Sequence, residues 1–133
     1  MKSIGIIIAL AVFGAGGLLL AVTPAQQSGV RRTDLQRHDL VVSGREVIQA
    51  RVELAPGVAF GRHTHPGEEI IYMLEGTLEY EVEGQRTTRL KAGQVLFIPA
   101  GKVHAARNVG TSNGAELATY VVEKGKPLLT LVR

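Results

Sequence analysis

The sequence predicts an all-β domain, an antiparallel sandwich or barrel, behind a short N-terminal address segment. Three observations carry that expectation. Beyond residue 45 apolar side chains recur at every second position, Gly and Pro break the chain at short intervals, and no helical period is present.

The chain has 133 residues, enough for one well-packed domain and too few for two. Its formal charge is +3 with a pI near 9.5. The basic residues are scattered, and the densest group, Arg31, Arg32 and Arg37, has no aromatic interleaving, so no nucleic-acid partner is expected. The absence of cysteine excludes disulfides, thiolate metal sites and cysteine nucleophiles together.

Met1-Lys2-Ser3 precedes an uncharged apolar run from Ile4 to Val22, then Thr23-Pro24-Ala25 and a polar stretch. This is the pattern of a secretory signal peptide, and residues 1–25 are expected to be removed on export to the periplasm or beyond. The run is also long enough to span a membrane, so the alternative is an uncleaved anchor, the one case in which a membrane would be a partner. Glycines at 5, 14, 16 and 17 and Pro24 favour the signal, whereas the arginines that follow favour retention.

Residues 26–45 are polar and weakly patterned and read as an arm before a barrel at 46–133. From Glu46 the two-residue period sets in. Ile48, Ala50, Val52 and Leu54 alternate with Val47, Gln49, Arg51 and Glu53. Pro56-Gly57 ends that strand, and Pro66-Gly67 separates strands at 58–65 and 69–74. Residues 77–83 are the cleanest strand, with Leu78, Tyr80 and Val82 on one face. Turns at Gly84-Gln85, Ala92-Gly93 and Pro99-Ala100-Gly101 set off strands at 86–90, 95–98 and 102–108, and a last strand runs from Glu116 to Val122.

Three of the four histidines stand where a metal could use them. His63 and His65 are two apart on one strand and share a face. Glu69 follows a turn that can return its carboxylate to them, and His104 comes from a later strand. On these residues alone a polar strand end is the competing explanation.

The stretch Gly57-(five residues)-His63-Thr64-His65-(three)-Glu69-(six)-Gly76 resembles the first cupin motif at every defined position. Gly93-(five)-Pro99-Ala100-Gly101-(two)-His104-(three)-Asn108 resembles the second, sixteen residues later. The resemblance implies a double-stranded β-helix, or jelly-roll barrel, with His63, His65, Glu69 and His104 turned inward as ligands of one divalent transition metal per chain. Such a set suits Mn, Fe, Ni, Cu, Co or Zn and leaves positions open for a ligand. The four motif glycines fall at turns, and Asn108 reads as a structural hydrogen-bonding residue. Small cupins are commonly homodimers, and residues 26–45 could supply a paired or exchanged strand.

Parity turns Ile71, Met73, Leu78, Tyr80 and Val82 inward, with Val95 and Phe97 beside them, giving a mostly apolar pocket. Tyr80 and Tyr120 read as core packing with hydroxyls at the rim. No proton-transfer pair stands out, which weighs against epimerase chemistry. The expectation is a small metal-dependent, dioxygenase-like oxidoreductase acting on a small organic molecule, with Glu69 as the catalytic ligand. The alternative is a non-catalytic binding module for a metal or small ligand outside the cytoplasm.

Overall fold

A computed structural model describes residues 27–133, so the signal or anchor expected at 1–25 lies outside the described residues. Ten strands run β1 (Val30–Asp39), β2 (Arg45–Leu54), β3 (Ala59–Thr64), β4 (Gly67–Glu75), β5 (Thr77–Val82), β6 (Thr88–Lys91), β7 (Val95–Ile98), β8 (His104–Asn108), β9 (Gly114–Glu123) and β10 (Thr130–Leu131). They form two five-stranded sheets in the orders β1-β2-β9-β4-β7 and β10-β3-β8-β5-β6. All recorded pairings are antiparallel. This is the antiparallel two-sheet architecture that the strand spacing predicts, in the jelly-roll form that the resemblance implies.

One difference lies at the start. Residues 30–39, too polar to show a period, form a ten-residue strand along β2, with a register shift between Asp34 and Gln36. Nine of its ten residues are exposed, so no buried face imposed an apolar rhythm on the sequence.

A second difference concerns β7. Val95 and Phe97 face outward, and Leu96 and Ile98 face the core. The register explains it: directly paired residues share a face, and Glu69 and Ile71, both inward, oppose Ile98 and Leu96. Because Val-Leu-Phe-Ile is apolar at every position, its own sequence carries no phase.

Between the sheets, Leu54, Ile71, Met73, Leu78, Tyr80 and Ile98 are nearly or fully enclosed. Each aliphatic side chain so buried contributes about 1.5–3 kcal/mol. Asn108 closes one end of the core. Its Nδ2 donates to Leu54 O and Ser112 O, and its Oδ1 accepts from Gly110 N–H, which fixes the loop before β9. The motif glycines 57, 76, 93 and 101 all have φ between +70° and +85°. At Gly76 the requirement is double, since a Cβ would also stand 2.3 Å from Asn113 O.

Candidate metal centre

His63, His65, Glu69 and His104 converge from both sheets, with one candidate ligand atom of each lying within 4.8 Å of the others. Strand register does most of this work. β3 pairs with β8 so that His63 stands directly opposite His104. A register shift between Phe60 and His63 re-aims the end of β3. Glu69 enters from the other sheet on β4, where it opposes Tyr120 of β9.

Each imidazole is oriented by a main-chain carbonyl. His63 Nδ1 donates to Gly61 O at 2.7 Å, His65 Nδ1 to Leu128 O at 2.6 Å, and His104 Nδ1 to Lys102 O at 2.9 Å. A carbonyl can only accept, so the Nδ1 proton is fixed and each Nε2 carries a lone pair. Two of these lone pairs meet a carboxylate: His65 Nε2 lies 3.3 Å and His104 Nε2 2.9 Å from Glu69 Oε2. All three atoms are buried without an aligned hydrogen-bond partner. Acceptors facing acceptors in a dry interior require a cation between them. The donor set therefore fits a divalent metal ion.

The electrostatics agree. Burial, followed by the charge of His104, pushes the His63 imidazole down to about 4, so it stays neutral at physiological pH. Burial also opposes charge on His104, but the approach and charge of Glu69 outweigh it and raise that pKa. Glu69 is pushed up by burial and pulled further down by His104 and His65, to about 2.

A cavity of about 80 Å³ opens on the cluster. Its walls include Leu54, Phe60 and Ile71, with Tyr80, Tyr120 and Arg32 among its polar groups. The cavity suits a small molecule rather than a drug-sized one. The Tyr120 ring packs edge-on against His65, and the Arg32 guanidinium lies over the Tyr120 ring, 5.3 Å from its centroid. Phe97, expected in this pocket, faces outward instead. Arg62 and Arg107 are exposed, as their parity indicates. Glu68 is half-buried and pairs with Arg45.

The sequence reading missed one residue. Glu116 is buried on the inner face of β9 and lines the cavity. The Tyr80 hydroxyl is not at a rim but donates to Glu116 Oε2. The signal was available: Glu116 shares parity with Tyr120 and Val122, both inward.

Two packed sheets enclosing three imidazoles and a carboxylate define the class, a jelly-roll protein built to hold a metal beside a small-molecule cavity. Residues 50–122, more than half of the chain, match the family described as Cupin domain, and the protein belongs to the cupin family. Among curated relatives, a germin-like protein of Arabidopsis thaliana (subfamily 2 member 2) is 37% identical over 53% of this chain and 35% of its own length. The oxalate-binding protein of Thermotoga maritima is 36% identical over 55% of this chain and 60% of its own. The chain thus spans well under half the length of the plant relatives it matches. Among solved structures, the dimethylsulfoniopropionate lyase of Ruegeria pomeroyi superposes with a TM-score of 0.59 at 28% identity, covering 65% of this chain and 43% of that one. A conserved double-stranded β-helix protein of Klebsiella pneumoniae gives 0.65 at 21% identity over 84% and 90%, a likeness of fold.

Proposed function

We propose that the protein is an exported metal-dependent cupin of dioxygenase-like oxidoreductase activity, with His63, His65, Glu69 and His104 holding the metal. The observation that carries this reading is the convergence of unpartnered Nε2 and carboxylate atoms at the floor of a small, largely apolar cavity. A redox-active metal bound there would supply electron exchange with dioxygen. The chain's own part is to orient the ligands through three carbonyls, exclude water with apolar walls, and offer Glu69 as a proton acceptor from substrate.

The test is metal analysis of protein purified from its own compartment, followed by oxygen uptake with iron, manganese, copper or nickel and a panel of enolic and phenolic compounds. Glu69→Gln is expected to keep most of the metal and to lose at least about 100-fold in turnover, as expected when a general base is removed. A second reading, a binding module, is supported by the relative named for oxalate binding. No oxygen uptake with any of those metals, together with ligand binding at the metal, would install it in place of the enzyme.

We also propose that the protein works as a homodimer, joined through β7 and the neighbouring face of β4. Ile70, Tyr72, Val95 and Phe97 are exposed together there, with Ile70 opposite Phe97 and Tyr72 opposite Val95. The two outer strands of that sheet differ. β1 carries Arg31, Arg32, Asp34, Arg37 and Asp39, charges that discourage edge pairing, whereas β7 has none. β1 already pairs along β2 of its own chain, so no exchanged N-terminal strand is needed to complete that sheet, and we set the second copy at β7. Sedimentation should give twice the subunit mass, and Phe97→Lys should shift it to one subunit. A wild-type monomer at micromolar concentration would contradict the proposal.

A further inference from the structure

The metal cluster does not account for every ionisable group in the cavity. Glu116 projects inward from β9, is 6% exposed, and lines the same cavity as His63, Glu69 and His104. The groups that act on it are burial, the negative charge of Glu69 and the Tyr80 hydroxyl, and none is a cation. Burial first, then Glu69, push its pKa up to about 8, against a smaller downward pull from Tyr80.

As packing, this is a poor choice of residue. A buried carboxyl without a cation costs free energy that a methionine of similar shape would not. Ionisable groups kept in such positions gather where chemistry needs them. The other inward residues of β9 beyond it are Ala118, Tyr120 and Val122, so Glu116 is the one carboxyl on that face.

We propose that Glu116 is a proton-transfer residue for a ligand held at the His63–His65–Glu69–His104 cluster, with Tyr80 positioning its carboxyl. This inference rests on the metal-site reading above. In the donor direction the Glu116 O–H bond breaks and the proton bonds to an anionic oxygen or carbon of the ligand. The electron pair stays on the carboxylate, where the Tyr80 hydroxyl holds it by hydrogen bonding. The acceptor direction is the reverse, and neither needs an oxidant or reductant. The matching ligand class is a small compound with an oxygen donor for the cluster and an exchangeable C–H or O–H next to it, such as a hydroxy or keto acid.

The test uses the full chain with and without zinc, and acetohydroxamate as an anionic chelating probe. Infrared difference spectra of wild type against Glu116→Gln at pH 7 should show a protonated-carboxyl band that belongs to Glu116 and shifts in Tyr80→Phe. Saturating acetohydroxamate should move or remove that band in the zinc-loaded protein. Glu116→Met should melt no lower than wild type, keep its zinc, and bind acetohydroxamate about tenfold more weakly, the loss of one hydrogen bond. A wild type without the acid band, or a band unmoved by saturating probe, overturns the proposal. So does a marked fall in melting temperature with zinc loss in both Glu116 variants, which would make the residue structural. A wild type that takes up no zinc removes the metal-site reading and this inference with it, and zinc analysis tells that outcome from the others.

Discussion

Replacing His104 with alanine is expected to reduce bound metal from about one ion per chain to less than a tenth of that under conditions that saturate the wild type. His104 supplies one of the lone pairs aimed at Glu69, and its ring is fixed by Lys102 O before any metal arrives. Removing it takes away a ligand and its preset orientation together. The thermal readout should be as large. Metal at a hundredfold excess over its Kd stabilises the folded state by about 2.7 kcal/mol, which for a domain of this size raises Tm by roughly 10 °C or more. His104→Ala should lose nearly all of that rise, and His63→Ala and His65→Ala should behave alike. His38, exposed on β1, is the control, and His38→Ala should match wild type in both measurements. Full metal occupancy in His104→Ala would break the assignment of these four residues to one site.

Gly67→Ala is expected to damage both the fold and the site. A Cβ on Gly67 would stand 2.1 Å from Val121 O and 2.7 Å from Val122 Cα. Both atoms belong to the main chain of β9, which is clamped between β2 and β4 and cannot retreat. Overpacking against backbone of this kind costs about 3 kcal/mol or more, a fall in Tm of roughly 10 °C or more. The effect should reach the site, because Gly67 lies two residues from both His65 and Glu69. Metal uptake should weaken even at temperatures where the variant is folded. Gly61→Ala is the comparison: its Cβ would meet open space, and its stability should stay within about 0.5 kcal/mol of wild type. A Gly67→Ala protein that melts with the wild type would show that β4 and β9 can separate without cost.

Much of this was legible in the chain. Where one face of a strand is buried and the other wet, as in β2 and β5, alternation announced the strand and its inward side. Positive φ at Gly57, Gly76, Gly93 and Gly101 confirmed the turns that composition marked. Legibility failed at both outer strands of the first sheet, for opposite reasons. β1 is polar but for Val30 and Leu35, and β7 is apolar throughout, so neither contains the alternation from which phase is read. Glu116 escaped notice because the sequence marks the strand only from that residue on, where a charged side chain resembles the end of a turn; β9 in fact begins at Gly114, and the parity of Glu116 with Tyr120 points inward.

The sequence by itself determined an all-β domain and its turns, which depend on local period and residue type, and its likeness to the cupin motifs singled out four candidate metal ligands. Tertiary structure alone decided which atoms meet. Only the β3–β8 register sets His63 against His104, only the packing of the two sheets carries Glu69 to both, and only the path of the chain after β9 brings Leu128 O to His65. The same packing encloses Glu116 and Tyr80 beside them. Contacts between residues far apart in the chain are fixed by strand pairing and burial acting on the whole domain, and no local stretch of sequence contains that information.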